Sequence, residues 1–543
     1  MMRERWGSKL GVILAVAGSA IGLGNFLRFP GVAAANGGGA FLIPYFVALL
    51  LLGVPLMWVE WTIGRFGGGF GHSTAPGAFH TMANKNRFVK YFGVIGIFGP
   101  IVIYIYYVYI ESWLLGYSVF AATGMYSDCT TKEAIKGFLD NYLGGEGTHF
   151  GSFWPAYGFF LATFLANTAV VYFGVRAGIE RVCKIAMPAL LILATVLVVR
   201  VFTLGTPDAA HPENNVSNGM GFLWNPDWSA LVDADAWQRV RSGTGGLGAR
   251  LNDCLHVLKS DIWLAAAGQI FFTLSVGIGA ILTYASYLRK EDDVALAGLT
   301  SASANTFAEV ILGGSIVIPA AFVFFGGAAT REFARGGIFD LGFFAMPMVL
   351  QHVAFGNVFG FLWFFLLFIA GITSSISLAQ PAIAFLEDEF NLTKREAVAI
   401  FAISTFILCH ASVFGGSAVI GELDFWAVNF CLVSFALLEA ILFAWVFGMQ
   451  RAWTELHSGS DITIPGVYRF IIKYVTPLFL LAILGTWAYQ ELGKTLLMEG
   501  ADPASRSARV LTRILLLMLL AILCFLVWAV WKRRKGESAE VAP

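Results

Sequence analysis

Apolar runs of about 20 residues recur from one end of this sequence to the other. Each can cross roughly 30 Å of hydrocarbon as a helix. That repetition constrains the fold more than any motif does. Inside lipid every backbone N–H and C=O must be satisfied within the protein, so only helices and closed barrels span. Barrel strands are short and alternate polar with apolar residues, whereas these runs are continuous. The chain of 543 residues is 57% hydrophobic and 13% charged, against about 25% charged in soluble domains. The sequence therefore predicts an all-α polytopic membrane protein. Its formal net charge is zero, so no basic excess points to nucleic acid. The first run is long and lacks a small-residue cleavage site, so it reads as a retained span rather than a leader.

About twelve spans are expected, at approximately 9–33, 38–67, 87–121, 155–174, 179–203, 263–287, 296–326, 356–388, 394–412, 418–447, 466–488 and 508–532. Lys and Arg in short loops mark the cytoplasmic side. With this count, Arg3, Arg5 and Lys9, then Lys85, Arg87 and Lys90, then Arg176, Arg181 and Lys184, share one face with Arg289, Lys290, Lys394, Arg395, Arg451 and the terminal Lys532–Lys535 cluster. Both ends are accordingly expected in the cytoplasm of a cell (inner) membrane protein. Longer polar loops, 122–154 and 204–262, fall on the other face. There 327–355 reads as short helical pieces over an outer vestibule, and 236–261, rich in Ser and Gly, as a flexible insertion.

Two spans are interrupted. Gly18-Ser19-Ala20-Ile21-Gly22-Leu23-Gly24-Asn25 places three glycines and an Asn inside the first, where each interior Gly costs roughly 1 kcal/mol against Ala. Small residues can serve close helix packing, but Arg28 lies one turn further on, and the sixth span repeats the oddity. Gln269-Ile270-Phe271-Phe272-Thr273-Leu274-Ser275-Val276-Gly277-Ile278-Gly279 mixes hydroxyls with a glycine pair in mid-span. The two breaks are five spans apart, and five is odd, so the units they open run in opposite senses. Matched breaks in two inverted halves point to a transporter binding site at the bilayer midplane. The expected division is 1–203 and 263–447 as the two five-span repeats, 204–262 as a loop with the insertion, and 448–543 as two further spans and a tail.

Other chemistry is sparse. Cys129, Cys183, Cys254, Cys409, Cys431 and Cys524 show no C-x-x-C spacing. Four read as small hydrophobes; Cys129 and Cys254 fall in polar loops of one face and could pair. H-E-x-x-H, G-x-S-x-G and Walker patterns do not occur, so an enzyme is not expected.

Asn25-Phe26-Leu27-Arg28-Phe29-Pro30, Asn36-Gly37-Gly38-Gly39-Ala40-Phe41, Tyr106-Tyr107-Val108-Tyr109-Ile110-Glu111-Ser112-Trp113 and Thr373-Ser374-Ser375 resemble signatures of the neurotransmitter:sodium symporters, most of all the bacterial leucine-transporter branch. The likeness runs from about residue 3 to the end. It implies the family's 5+5 inverted repeat with discontinuous first and sixth helices, and sodium-coupled uptake of a small amine-bearing solute by alternating access. One sodium would be held by the Ala20 carbonyl, Asn25, Thr273, Asn305 and the substrate carboxylate. A second would meet the carbonyls of Gly18, Ile21 and Ala370 with the hydroxyls of Thr373 and Ser374. Oxygen ligands suit a hard cation. For Thr373-Ser374-Ser375 taken alone, hydroxyls bonding back to their own helix would be the simpler reading.

The resemblance places the substrate carboxylate against the Leu23 and Gly24 amides, at a half-helix N-terminus, with the Tyr107 hydroxyl. The ammonium would meet carbonyls of Ala20 and Phe272 and the Ser275 hydroxyl. Monoamine carriers of the family have an Asp where this chain has Gly22, so the negative charge is expected from the substrate itself: an α-amino acid. Ile103, Tyr107, Phe272, Ile278, Ser374 and Leu378, with Ser19, would line the side-chain end. An uncharged lining cannot compensate a buried substrate charge, so a neutral, aliphatic amino acid resembling leucine, alanine or methionine is expected.

Intramembrane charges default to function. Arg28 and Asp424 match the family's outer gate, with Phe272 as inner lid. Arg3 and Asp388, with Trp6, Ser286 and Tyr287, match the cytoplasmic gate. Glu309 stands where chloride-dependent members carry Ser, with Tyr45, Gln269 and Asn305 near it, so no chloride requirement is expected beside the two sodium ions. Glu60, Glu111 and Glu439 are read as satisfied structural carboxylates rather than proton carriers. A sodium-dependent receptor that binds without transport is the rival; it would keep the site and lose the inner gate. Expected partners are the neutral amino acid and membrane lipid, and the sequence admits a homodimer without specifying one. About two dozen residues after Asp233-Ala234-Asp235-Ala236-Trp237 exceed the family's pattern before Asp261-Ile262-Trp263.

Overall fold

The computed structural model describes residues 6–232, 234–242, 259–337, 339–490, 492–499 and 502–540, and in these residues the chain is helical throughout, with no β-strand. Nine continuous helices are long and apolar enough to cross a membrane. One of them, Lys394–Val446, has 53 residues, roughly 80 Å at 1.5 Å per residue. It is two spans that meet at Gly416 (φ 65°, ψ −163°). Leu10–Ala20 and Gly24–Ala35 form a further span bent by 46°. Ser260–Leu274 and Ala280–Ala285 are the two pieces of the sixth. Twelve spans result among the described residues, at the places the apolar runs predict.

Local chemistry sets the ends. Ser8 accepts from the Gly11 N–H at 3.0 Å to start the first span. Thr393 and Glu396 form a reciprocal capping box at the start of the ninth. The seventh span runs within Val294–Gly336 and turns at Gly326 (φ 73°) into a short surface helix.

The layering follows the apolar pattern. In its most apolar stretch the third span is 89% buried, whereas the fifth, eleventh and twelfth are 28% buried and turn apolar side chains outward. Such all-round apolar helices face hydrocarbon. The third and eighth spans, Ile95–Thr123 and Gly356–Phe390, sit at the centre beside the broken first and sixth.

On the face opposite the Lys/Arg-rich loops, three helical pieces cover the bundle. Lys132–Tyr142 lies in the 122–154 loop, Val216–Trp224 in the next, and Leu341–Gln351 in the 327–355 region. Lys132 and Asp340 pair at 2.7 Å and tie two of these loops together. The expected flexible insertion begins as a helix, Ala234–Ser242; 243–258, including Cys254, lie outside the described residues.

Candidate functional site

At the first break, Ile21 leaves helical geometry (φ −78°, ψ 93°). The side chain of Asn25 replaces the lost helical partner: its Oδ1 accepts from the Gly22 N–H at 2.8 Å. Gly22 has little room for any side chain, since a Cβ there would meet the Ser374 Oγ at 2.6 Å and the Tyr107 hydroxyl at 3.2 Å. At the sixth break, Ser275 (φ 54°), Gly277 (φ 77°) and Gly279 (φ 87°) carry the chain through left-handed geometry. The Gly277 N–H donates to the carboxylate of Glu60, which is fully buried in the second span.

The two breaks face one cavity. It is lined by Ser19, Ala20, Gly22, Leu23, Gly24, Ile103, Tyr107, Phe272, Thr273, Ser275, Ile278, Ser374 and Leu378, every residue the sequence assigned to substrate contact. No lining side chain carries a charge. Tyr107 presents its hydroxyl to the Leu23 N–H at 3.4 Å. Ser275 Oγ donates to the Ser19 carbonyl at 3.1 Å.

Four lining residues were not anticipated: Ala280, Ser377, Val428 and Leu432. Ser377 Oγ accepts from Ser19 Oγ at 2.7 Å and lies three residues after Ser374, on the same helix face. Val428 and Leu432 lie four and eight residues after Asp424, so helical spacing could have found all three. Glu60 was also read only as a structural carboxylate, and nothing local to it names Gly277.

The candidate sodium ligands divide into two oxygen-rich clusters beside the cavity. In the first, the Asn305 side-chain amide lies 3.0 Å from the Ala20 carbonyl oxygen and 3.3 Å from that of Thr273, and its Nδ2 donates to the Thr273 hydroxyl at 3.0 Å. Asn25 Nδ2 lies 2.8 Å from the same amide. In the second, Ser374 Oγ is 3.5 Å from the Gly18 carbonyl and 3.2 Å from that of Ala370. Thr373 Oγ1 donates to Ala370 O at 3.1 Å, so both hydroxyls do bond back along their own helix while facing the first span. Ile21 sits at the point where that span unwinds. Both donor sets are neutral oxygens on rigid elements, a fit for a hard monovalent cation.

Glu309 is fully buried. The Tyr45 hydroxyl and the Gln269 amide both donate to its carboxylate.

Toward the opposite face, the Arg28 guanidinium lies 4.4 Å from the centre of the Phe272 ring. Asp424 accepts from the Tyr106 hydroxyl at 2.6 Å. Among the described residues Arg28 and Asp424 make no direct ion pair, yet they are electrostatic neighbours above the cavity. On the Lys/Arg-rich face, Trp6 Nε1 donates to the Tyr284 carbonyl at 3.0 Å and packs edge-on against that ring. Ser286 Oγ donates to Thr283 O, the Tyr287 hydroxyl accepts from Gln380, and Asp388 accepts from the Ser73 N–H. Arg3 lies outside the described residues.

The profile of the sodium:neurotransmitter symporter family matches residues 3–142 and 245–534. An uncharacterised sodium-dependent transporter of Methanocaldococcus jannaschii is 30% identical over 490 residues, covering 89% of this chain and 90% of its own. The sodium-dependent serotonin transporter of Drosophila melanogaster is 25% identical over 534 residues, covering 90% and 77%. The crystal structure of MhsT in complex with L-phenylalanine superposes with a TM-score of 0.71 at 28% identity, covering 89% of this chain and 99% of that one.

Proposed function

The chain belongs to the sodium:neurotransmitter symporter family, and on that premise we propose that it imports a neutral, aliphatic L-amino acid with two sodium ions and without chloride. Its ends lie in the cytoplasm and the cavity opens first to the opposite side. The observation that carries the substrate class is Gly22 in an uncharged cavity. With no acidic side chain at that position, a monoamine would enter as an uncompensated cation, which is costly to bury. A zwitterion brings its own carboxylate, and the amides of Leu23 and Gly24 begin a half-helix whose dipole favours it. MhsT, a structural relative, is known with L-phenylalanine, which agrees with a neutral amino acid; Ile103, Ile278 and Leu378 favour an aliphatic side chain here.

Coupling follows from where the ligands sit. The first cation bridges the two broken spans and the substrate carboxylate, so it and the substrate stabilise each other. The second joins Gly18 and Ile21 of the first span to Ala370, Thr373 and Ser374 of the eighth. If those bodies separate on inward opening, sodium binds the outward state better, and that difference drives the cycle. Arg28, Phe272 and Asp424 close the outer side. Glu309, held by Tyr45 and Gln269, supplies permanently the negative charge that chloride supplies in other members.

Uptake of radiolabelled leucine and alanine into proteoliposomes tests the proposal. Accumulation should require an inward sodium gradient, survive replacement of chloride and be competed by unlabelled neutral amino acids. Glu309→Ser should make uptake chloride-dependent. Binding without accumulation under an intact gradient would mark a receptor, and binding of no neutral amino acid would overturn the substrate class.

A further inference from the structure

We propose that Asp128, Cys129 and His149 form a zinc-class divalent-metal site that staples the loop between the third and fourth spans. The three side chains converge although His149 is 20 residues from Cys129. The Cys129 Sγ lies 3.9 Å from His149 Nε2 and 3.7 Å from Asp128 Oδ1. His149 Nε2 lies 3.4 Å from Asp128 Oδ2 and 3.5 Å from Oδ1. Around a tetrahedral zinc with Zn–S of about 2.3 Å and Zn–N and Zn–O of about 2.0–2.2 Å, ligand atoms stand about 3.4–3.6 Å apart. The observed triangle thus already has the size of one face of that tetrahedron, to within about 0.3 Å per edge.

The donors are a thiol, an imidazole and a carboxylate, the set that zinc takes, whereas calcium and magnesium want oxygen alone. The carboxylate side chain is 72% exposed, which leaves the fourth position to water. The rest of the site is built. Cys129 is buried at 3% exposure. His149 packs edge-on against Phe138 at 4.9 Å. The backbone that carries His149 is fixed by buried Asn141, whose Oδ1 accepts from the N–H of His149 at 2.9 Å and of Phe150 at 2.8 Å. Asn141 Nδ2 donates to the Gly145 carbonyl at 3.0 Å.

The ion would close the loop across the helix Lys132–Tyr142. That loop is in turn tied to the Leu341–Gln351 piece, because Gln351 Nε2 donates to the Tyr126 carbonyl at 2.9 Å. A metal here would therefore order the cover of the bundle on that face without touching the cavity.

The test uses the full chain purified in detergent under reducing conditions and stripped with chelator. Titration with zinc against a chromophoric competitor should give about one ion per chain, with calcium in excess failing to displace it. Cobalt in place of zinc should show a thiolate-to-metal charge-transfer band that thiol alkylation removes. Loss of a group one bond outside a metal's shell already costs about 10–100-fold in affinity. Cys129→Ser and His149→Gln should therefore each cost about 100-fold or more, Asn141→Ala should cost about tenfold, and Cys524→Ser should change nothing. Sodium-dependent amino-acid binding serves as the folding control. The proposal is overturned by zinc affinity unchanged in both ligand variants, by no thiolate band in the unsubstituted chain, or by mass-spectrometric detection of a Cys129–Cys254 disulfide as the chain's resident state.

Discussion

The two broken helices do the same job by different means. The first break is held locally. Asn25 caps the Gly22 N–H three residues before it, and the Asn25 N–H closes on the Gly22 carbonyl at 3.2 Å. The sixth break is held from afar: its Gly277 N–H depends on a carboxylate 217 residues away in the second span. Both glycines are buried, but Gly22 lines the cavity and Gly277 does not. An unwound helix inside a membrane thus needs a polar partner for each freed amide, and a near partner and a distant one differ in what their loss should cost.

Four substitutions break or sharpen that contrast, measured by thermal unfolding of the detergent-purified protein alongside sodium-dependent leucine binding. Gly277→Ala should be the most damaging. Its φ of 77° disfavours a side chain and its Cβ would meet the Leu432 carbonyl oxygen at 2.4 Å, so strain and overpacking together should destabilise by about 2–5 kcal/mol. Glu60→Ala comes next, because it strands a buried N–H, at about 1–3 kcal/mol.

Asn25→Ala should cost less stability, about 0.5–1.5 kcal/mol, yet weaken sodium more than any other change here, since it removes a proposed ligand as well as a cap. If the breaks are independent, the Asn25→Ala/Glu60→Ala double variant should be additive to within about 0.5 kcal/mol; a larger coupling would show that the two halves of the site are held as one unit. Ser275→Gly should change stability least. Relief of left-handed strain, about 1–2 kcal/mol, offsets the lost hydrogen bond to Ser19, so the effect should appear in substrate affinity rather than in unfolding.

The span positions, the pairing of the breaks and the cavity lining were legible because each leaves a local trace. Apolar length marks a span, glycine and hydroxyl residues mark unwinding, and the ordered motifs from Asn25 to Ser375 carry the family likeness. Ser377, Val428 and Leu432 left a trace too, in their spacing from Ser374 and Asp424, although only the packed helices select that face over its neighbours. Glu60 left none, because a carboxylate in a span reads alike whether it caps a distant amide or bonds within its own neighbourhood. Arg28 reads as the partner of Asp424 in sequence; in the structure it stacks on Phe272 while Asp424 holds Tyr106.

The sequence by itself determined that this chain crosses a membrane as a bundle of helices and where two of them unwind. Those follow from helix length against bilayer thickness and from backbone propensity, both properties of neighbouring residues. Tertiary structure alone decided that Glu60 secures the sixth break and that Asp128, Cys129 and His149 meet. Each of these is a contact between segments whose separation in the chain says nothing about their distance in space, and only packing brings them together.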